Sequence, residues 1–108
     1  MTEYNPDKWK VIKITTKKET FYKIFATWKG GYLGADSWKL SSGSETFRME
    51  GDCIVTPQAS GSVYSLHKDM EGICGGWNRL YNDLIAKMRN LGAEVEELTT
   101  EQVLELTK

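Results

Sequence analysis

From Trp77 to Leu91 large apolar residues recur at a helical spacing, and no other feature constrains the fold of this chain as tightly. Trp77, Leu80, Tyr81, Leu84, Ile85, Met88 and Leu91 stand at i, i+3, i+4, i+7, i+8, i+11 and i+14, which is one apolar stripe of an α-helix. Gly92 follows as a C-terminal cap, and Lys87 and Arg89 lie near the negative end of the helix dipole. The pattern predicts a main helix over 75–91. A stripe of this kind needs a cover. The chain has 108 residues, which fits one domain, 1–108, and leaves no room for a second core. The helix therefore closes the open side of a sheet in its own chain or makes a subunit contact. Closing the sheet is the expectation, because so small a domain needs its own core.

Upstream of the helix the period is two, and residues 8–67 read as strand-rich. Residues 1–7 are polar, contain Pro6 and read as a loose lead-in. Lys8–Thr16 is rich in β-branched residues and reads as a strand. A second strand runs to Trp28 with large apolar groups on both faces, which marks a central strand or a barrel position. Gly30-Gly31 ends it. Ser37–Leu40 places Trp38 and Leu40 on one face. Glu45–Glu50 alternates, with Phe47 and Met49 expected inward. Cys53–Thr56 stops at Pro57 or runs along an edge, since proline cannot donate to a ladder. Ser62–His67 is the last strand of this series. Short strands at such spacing predict an α+β fold: an antiparallel meander or small, partly open barrel of five to six strands, closed by the main helix. In the tail, Ala93–Leu98 reads as an added edge strand and residues 99–107 as a short helix. Thr99 and Gln102 form its capping box, with Leu98 and Val103 as a hydrophobic staple.

Composition removes several classes of function. Hydrophobic residues are 40% and charged residues 27%, values of a folded chain rather than a disordered one. No apolar run approaches the length needed to span a bilayer, and MTEYNPDKWK lacks the apolar core of a signal peptide. The expectation is a soluble, cytoplasmic protein with no membrane partner. Cys53 and Cys74 are then expected as reduced thiols. Residues 1–50 carry nine Lys or Arg against six Asp or Glu, and residues 51–108 carry five against nine. The strand half is basic and the helical half acidic, a layout that suits head-to-tail association or an anionic ligand on the strand side.

No complete catalytic or metal motif is present, and no cofactor is expected. His67 is the only histidine, and an enzyme centred on it would need a nucleophile and an orienting carboxylate. Ser62, Ser65, Cys53, Cys74, Asp52 and Asp69 are the candidates, none in a recognisable signature; a histidine bonded at a strand end explains it as well. Cys53, His67 and Cys74 lack the paired spacing of structural zinc sites. The Gly/Ser segments Gly30–Gly34, Ser41–Ser44 and Ala59–Ser62 could present N–H groups to phosphate, or simply turn hairpins. Lys8, Lys10, Lys13, Lys17, Lys18, Lys23 and Lys29 interleave with Trp9, Phe21, Tyr22 and Trp28. That mixture is one used by single-stranded nucleic-acid binders, although the sequence pI of about 5.8 lacks the basic footprint of such a domain.

Two blocks carry a resemblance. Gly30-Gly31-Tyr32-Leu33, Asp36-Ser37-Trp38-Lys39-Leu40 and Ser42-Gly43 are followed by Gly61-Ser62-Val63-Tyr64 and His67-Lys68. This arrangement resembles a pattern, GGYL…DSW(R/K)LxSG then GSVY…HK, found in small uncharacterised proteins of large tailed bacteriophages, cyanophages among them. The helix and tail after Cys74 lie outside that pattern. The resemblance implies a non-enzymatic accessory protein of the infected cell, acting stoichiometrically in host takeover or counter-defence. Its partner would be a host protein or a small anionic ligand such as a signalling nucleotide, with homo-oligomerisation an accompanying expectation. On that reading Tyr32, Trp38 and Tyr64 stack on the ligand, while Lys39, Ser62, His67 and Lys68 supply polar contacts. Single-stranded nucleic-acid binding is the alternative, and a small enzyme centred on His67 the third reading.

Overall fold

The computed structural model describes residues 2–30 and 37–108. Among these the chain runs β1 (Glu3–Tyr4), β2 (Lys8–Thr15), β3 (Thr20–Trp28), β4 (Ser37–Leu40), β5 (Arg48–Glu50), β6 (Cys53–Pro57), β7 (Val63–His67), α1 (Asn78–Asn90), β8 (Glu94–Leu98) and α2 (Thr100–Glu105). The strands form two four-stranded sheets, ordered β1-β7-β6-β5 and β4-β3-β2-β8. The fold is α+β, and the described strands do not close into a barrel. No helix among the described residues is long and apolar enough to cross a membrane.

The β2–β3 hairpin is the centre of the molecule. Its turn is held by Thr16, whose hydroxyl accepts the N–H groups of Lys18 and Glu19 at 3.2 Å. The register pairs Trp9 with Ala26 and Val11 with Ile24, so these four share one face. They are fully buried and pack with Ile54, Tyr64 and Leu66 of the first sheet. Ile12, Ile14 and Phe25 occupy the opposite face and pack with Tyr81 and Ile85 of α1 and Val95 of β8. The doubly apolar β3 is therefore central, with one face against a sheet and the other against a helix. Removing each such large side chain from water contributes about 1.5–3 kcal/mol.

The main helix closes its own sheet, as the stripe requires. It begins at Asn78 rather than Gly75, because Trp77 occupies the N-cap without a side-chain cap bond and glycines precede it. At the other end Gly92 donates to the Arg89 carbonyl at 3.0 Å and Ala93 to that of Met88 at 3.3 Å. Gly92 takes φ +96°, the left-handed turn of a Schellman ending, and the chain passes into β8, antiparallel to β2. Leu91 does not join the stripe's buried face. It is 80% exposed, since the cover ends with Met88.

Three further expectations change. Residues 1–7 are not a loose lead-in: β1 pairs parallel with β7, Val63 donates to the Thr2 carbonyl at 2.8 Å, and Pro6 is buried. The strand expected from Glu45 shortens to Arg48–Glu50, with Phe47 buried but Met49 38% exposed at the sheet rim. Cys53–Thr56 extends through Pro57 and lies between β5 and β7 rather than at an edge. The tail matches its reading. The Thr99 hydroxyl accepts the Gln102 N–H at 3.2 Å, the Gln102 side chain accepts the Thr99 N–H at 2.8 Å, and Leu98 and Val103 are buried together.

One polar joint ties the layers. The Trp9 indole N–H donates to the His67 carbonyl at 2.8 Å. Beside it, Glu71 accepts from Lys10 Nζ at 2.7 Å, and from the Thr100 N–H at 2.6 Å and hydroxyl at 2.7 Å. Burial alone would raise the Glu71 carboxyl pKa, but the Lys10 and Thr100 bonds and the Lys10 charge outweigh it and hold it below the usual range. Glu71 thus fixes the loop after β7 to the sheet and to the start of α2.

Candidate functional site

The residues expected to bind a ligand do not converge. Trp38 lies on the helix side of β4, its ring stacked on Phe25 at 5.8 Å and tilted against Trp77 at 6.4 Å. Lys39 points to the other face, its ammonium 5.2 Å from the Tyr4 ring centre, a cation–π contact. Ser62 and His67 flank opposite ends of β7. The His67 Nδ1 accepts the Asp69 N–H at 3.2 Å, the bond of a histidine closing a strand-end turn. Lys68 lies 3.7 Å from Asp52. Tyr64 is 1% exposed, and this corrects its role: it is a core residue packed 5.0 Å from Tyr4 and presents no face for stacking. Burial, with the nearby Tyr4, pushes its phenol pKa up to about 12. Tyr32 lies outside the described residues.

The other candidates disperse in the same way. Both cysteines are free thiols. Cys53 is the cross-strand partner of His67, but Cys74 is buried against Thr27, whose hydroxyl accepts the Cys74 N–H at 2.9 Å. The three do not gather. The aromatic and basic mixture of residues 8–29 does not form an open platform, because Trp9 is fully buried and Lys10 is held by Glu71. Of the Gly/Ser segments, Ser41–Ser44 and Ala59–Ser62 bond to each other; Gly30–Gly34 lies, after Gly30, outside the described residues. Gly43 donates to the Gln58 side chain at 3.3 Å, Ala59 to the Gly43 carbonyl at 2.7 Å, and Ser60 to the Ser42 hydroxyl at 3.1 Å. Amides used in this way cannot also cradle an anion.

What the fold does assemble is a groove around the tip of the hairpin, with Phe21 and Lys23 as its shared floor. One half, of about 530 Å³, runs from Phe21 to Ser42–Thr46 and Pro57. The other, of about 650 Å³, runs between the hairpin turn and the end of α1, lined by Ile14, Lys17, Lys18, Met88, Leu91 and Ala93. The second half is mainly apolar, and its lining includes three lysines and no carboxylate. Lys23 donates to the Ser41 and Ser42 carbonyls at 3.0 and 3.3 Å, and burial lowers its pKa. Gly43 sits against the floor at φ +131°, where a Cβ would stand 3.4 Å from the Phe21 ring.

Sequence reasoning named Phe21 and the lysines only as parts of a nucleic-acid platform, and placed Leu91 in the buried stripe. The signal for Leu91 was present: the stripe reaches the residue directly before the capping glycine, where a helix runs out of cover. The pairing of the hairpin tip with the helix end had no local signal. No family model, curated protein or solved structure matches the chain.

Proposed function

We propose that this protein acts stoichiometrically as a binding protein, engaging a host protein or a small anionic ligand through the groove around Phe21 and Lys23. The observation that carries the reading is the groove itself: it opens on both sides of Phe21, with Glu19, Glu45 and hydroxyl groups in one half and largely apolar walls rimmed by Lys17 and Lys18 in the half beside α1. Such a lining suits holding a partner. Within this reading the nearest polar groups favour the host protein over the small anion, because Lys23 is occupied by two carbonyls and the loop amides by each other. The resemblance to tailed-phage proteins favours host takeover or counter-defence as the setting.

Native mass spectrometry of the protein recovered from its natural lysate tests this, since it reports stoichiometry and retained species together. A fixed-ratio complex is expected, lost in Leu91→Glu, whose exposed position leaves the fold intact. A complex that survives Leu91→Glu unchanged removes the groove from the function. Multiple turnover of a substrate by the purified chain removes the stoichiometric reading.

A further inference from the structure

We infer that the half of the groove beside α1 takes an acidic polypeptide segment carrying apolar anchors, an inference that rests on the binding reading above. Charge argues for the acid. Lys17 and Lys18 stand at the exposed hairpin turn and no carboxylate lines this half of the groove; Glu19 and Glu45 line the other half, across Lys23. A partner bearing carboxylates would meet complementary potential at Lys17 and Lys18, on the side of the groove next to α1. The form of the anion follows from what is already occupied. Lys23 donates to two carbonyls, and the Gly43, Ala59 and Ser60 amides are taken up by bonds between the two loops. The site therefore has no focus of donors for one compact phosphate or carboxylate. Its remaining charges are spread over a turn, which suits charges spread along a chain.

The apolar part fixes the anchors. Leu91 stands 80% exposed beyond the last buried turn of the helix, with half-buried Met88 and Phe21 beside it. An apolar side chain laid against this step would bury Leu91 and complete the stripe that its own sheet leaves open. A segment with acidic residues on one side and large apolar residues on the other satisfies rim and floor together, as amphipathic segments do in other grooves.

The test is selection of a random-peptide display library on the immobilised full chain, followed by affinity measurement with labelled synthetic copies of the enriched peptides. Amide chemical shifts then locate the contact. Enriched peptides should carry carboxylates among large apolar residues, bind one to one and shift the amides of Phe21, Lys23, Leu91 and Gly92. Leu91→Ser, and Lys17→Glu with Lys18→Glu, should each weaken binding about tenfold, and added salt should weaken it further. Enriched peptides without carboxylates, or affinity indifferent to the lysine reversals, overturn the acidic segment while leaving the groove as a binding surface. So does saturable binding of inorganic phosphate or decanoate at these amides with no peptide enriched. Concentration-dependent shifts there in the protein alone assign the groove to a second copy and overturn the inference. If no probe moves these amides, the groove reading fails with it.

Discussion

The two sheets are built from similar strands but stand in different surroundings. The β4-β3-β2-β8 sheet has a sheet on one face and α1 on the other, so Ile24 and Phe25, adjacent in sequence, are both fully buried. The β1-β7-β6-β5 sheet is covered on one face only. Its other face carries Arg48, Glu50, Cys53, Val55, Val63 and Ser65 around an open depression. The antiparallel part of this sheet, β5 to β7, tolerates one open face. The difference teaches where stability and recognition separate. The doubly covered sheet holds the core, and the groove opens at its hairpin tip, where the helix stops before the strands do.

Truncation on the outer faces should separate the sheets most. Phe25 lies between Trp38 and Tyr81, at 5.8 and 5.0 Å, with no exposed surface. Phe25→Ala should cost about 4 kcal/mol through lost burial and an unfilled cavity. Val63, half-buried on the open face, should lose at most about 1 kcal/mol on change to Ala. Denaturant unfolding at unchanged m-value measures both. Equal costs would break the comparison and show the open face to be covered in solution.

The joint between layers comes next. Glu71→Gln removes the charge that holds Lys10 and the first turn of α2, and should cost about 2 kcal/mol by the usual worth of charged hydrogen bonds. Because the folded carboxyl titrates below its ordinary value, the unfolded chain binds the proton first as pH falls. The contribution of Glu71 is therefore present above the ordinary carboxylate range and lost as pH drops through the folded value. Glu71→Gln should flatten the acid limb of the stability profile. An unchanged acid limb would show that Glu71 is not what couples folding to pH there.

How much of this was legible follows the range of the interactions. The helix, its glycine ending, the Thr99 capping box and the paired strands depend on near neighbours, and their spacing was enough to read them. The helix start was overrun because Gly75 and Gly76 interrupt backbone order without breaking the apolar pattern. Glu3–Tyr4 could not be read, since two residues carry no period and are held by a parallel partner some sixty residues on, Val63–Tyr64. The ligand residues stand apart for a related reason. Trp38 and Lys39 are adjacent in sequence but point to opposite faces. Tyr64 looked like an aromatic in a loop-flanked motif, while its strand position turns it into the core. A shared motif gave proximity along the chain, and a strand converts that into separation in space.

Tyr64 gives a smaller and less usual effect. Its hydroxyl is buried without a hydrogen-bond partner among the described residues, as is that of Thr56, its cross-strand neighbour. Tyr64→Phe keeps the ring and removes the unsatisfied group, so at neutral pH it should be neutral or stabilise by about 1 kcal/mol at most. The alkaline limb should also respond. With the folded phenol raised to about 12 from 10.0, the unfolded chain loses its proton first, and stability falls as pH rises between those values. Tyr64→Phe should make that fall shallower without abolishing it. Tyr81 is also raised, by burial and by its bond to Glu97, and contributes in the same sense. A destabilised Tyr64→Phe would mean that the hydroxyl is satisfied in solution.

The smallest effect belongs to Arg48, and it sharpens the comparison most directly. Its ion pair with Glu50 is 2.6 Å long, as short as the 2.7 Å pair of Lys10 with Glu71. Distance would rank the two alike. Exposure does not: the Arg48 and Glu50 side chains are each 56% exposed, against 18% and 26% for Lys10 and Glu71. Water and salt screen the outer pair, so Arg48→Ala should cost no more than about 0.5 kcal/mol, and that little should vanish in high salt. The outer strand β5 leaves one backbone edge unpaired within the described chain, so the same variant also reports on that edge. A cost well above this, dependent on protein concentration, would mean that β5 meets a second copy. The sheet with one open face would then be extended through assembly at the edge its own chain leaves unpaired.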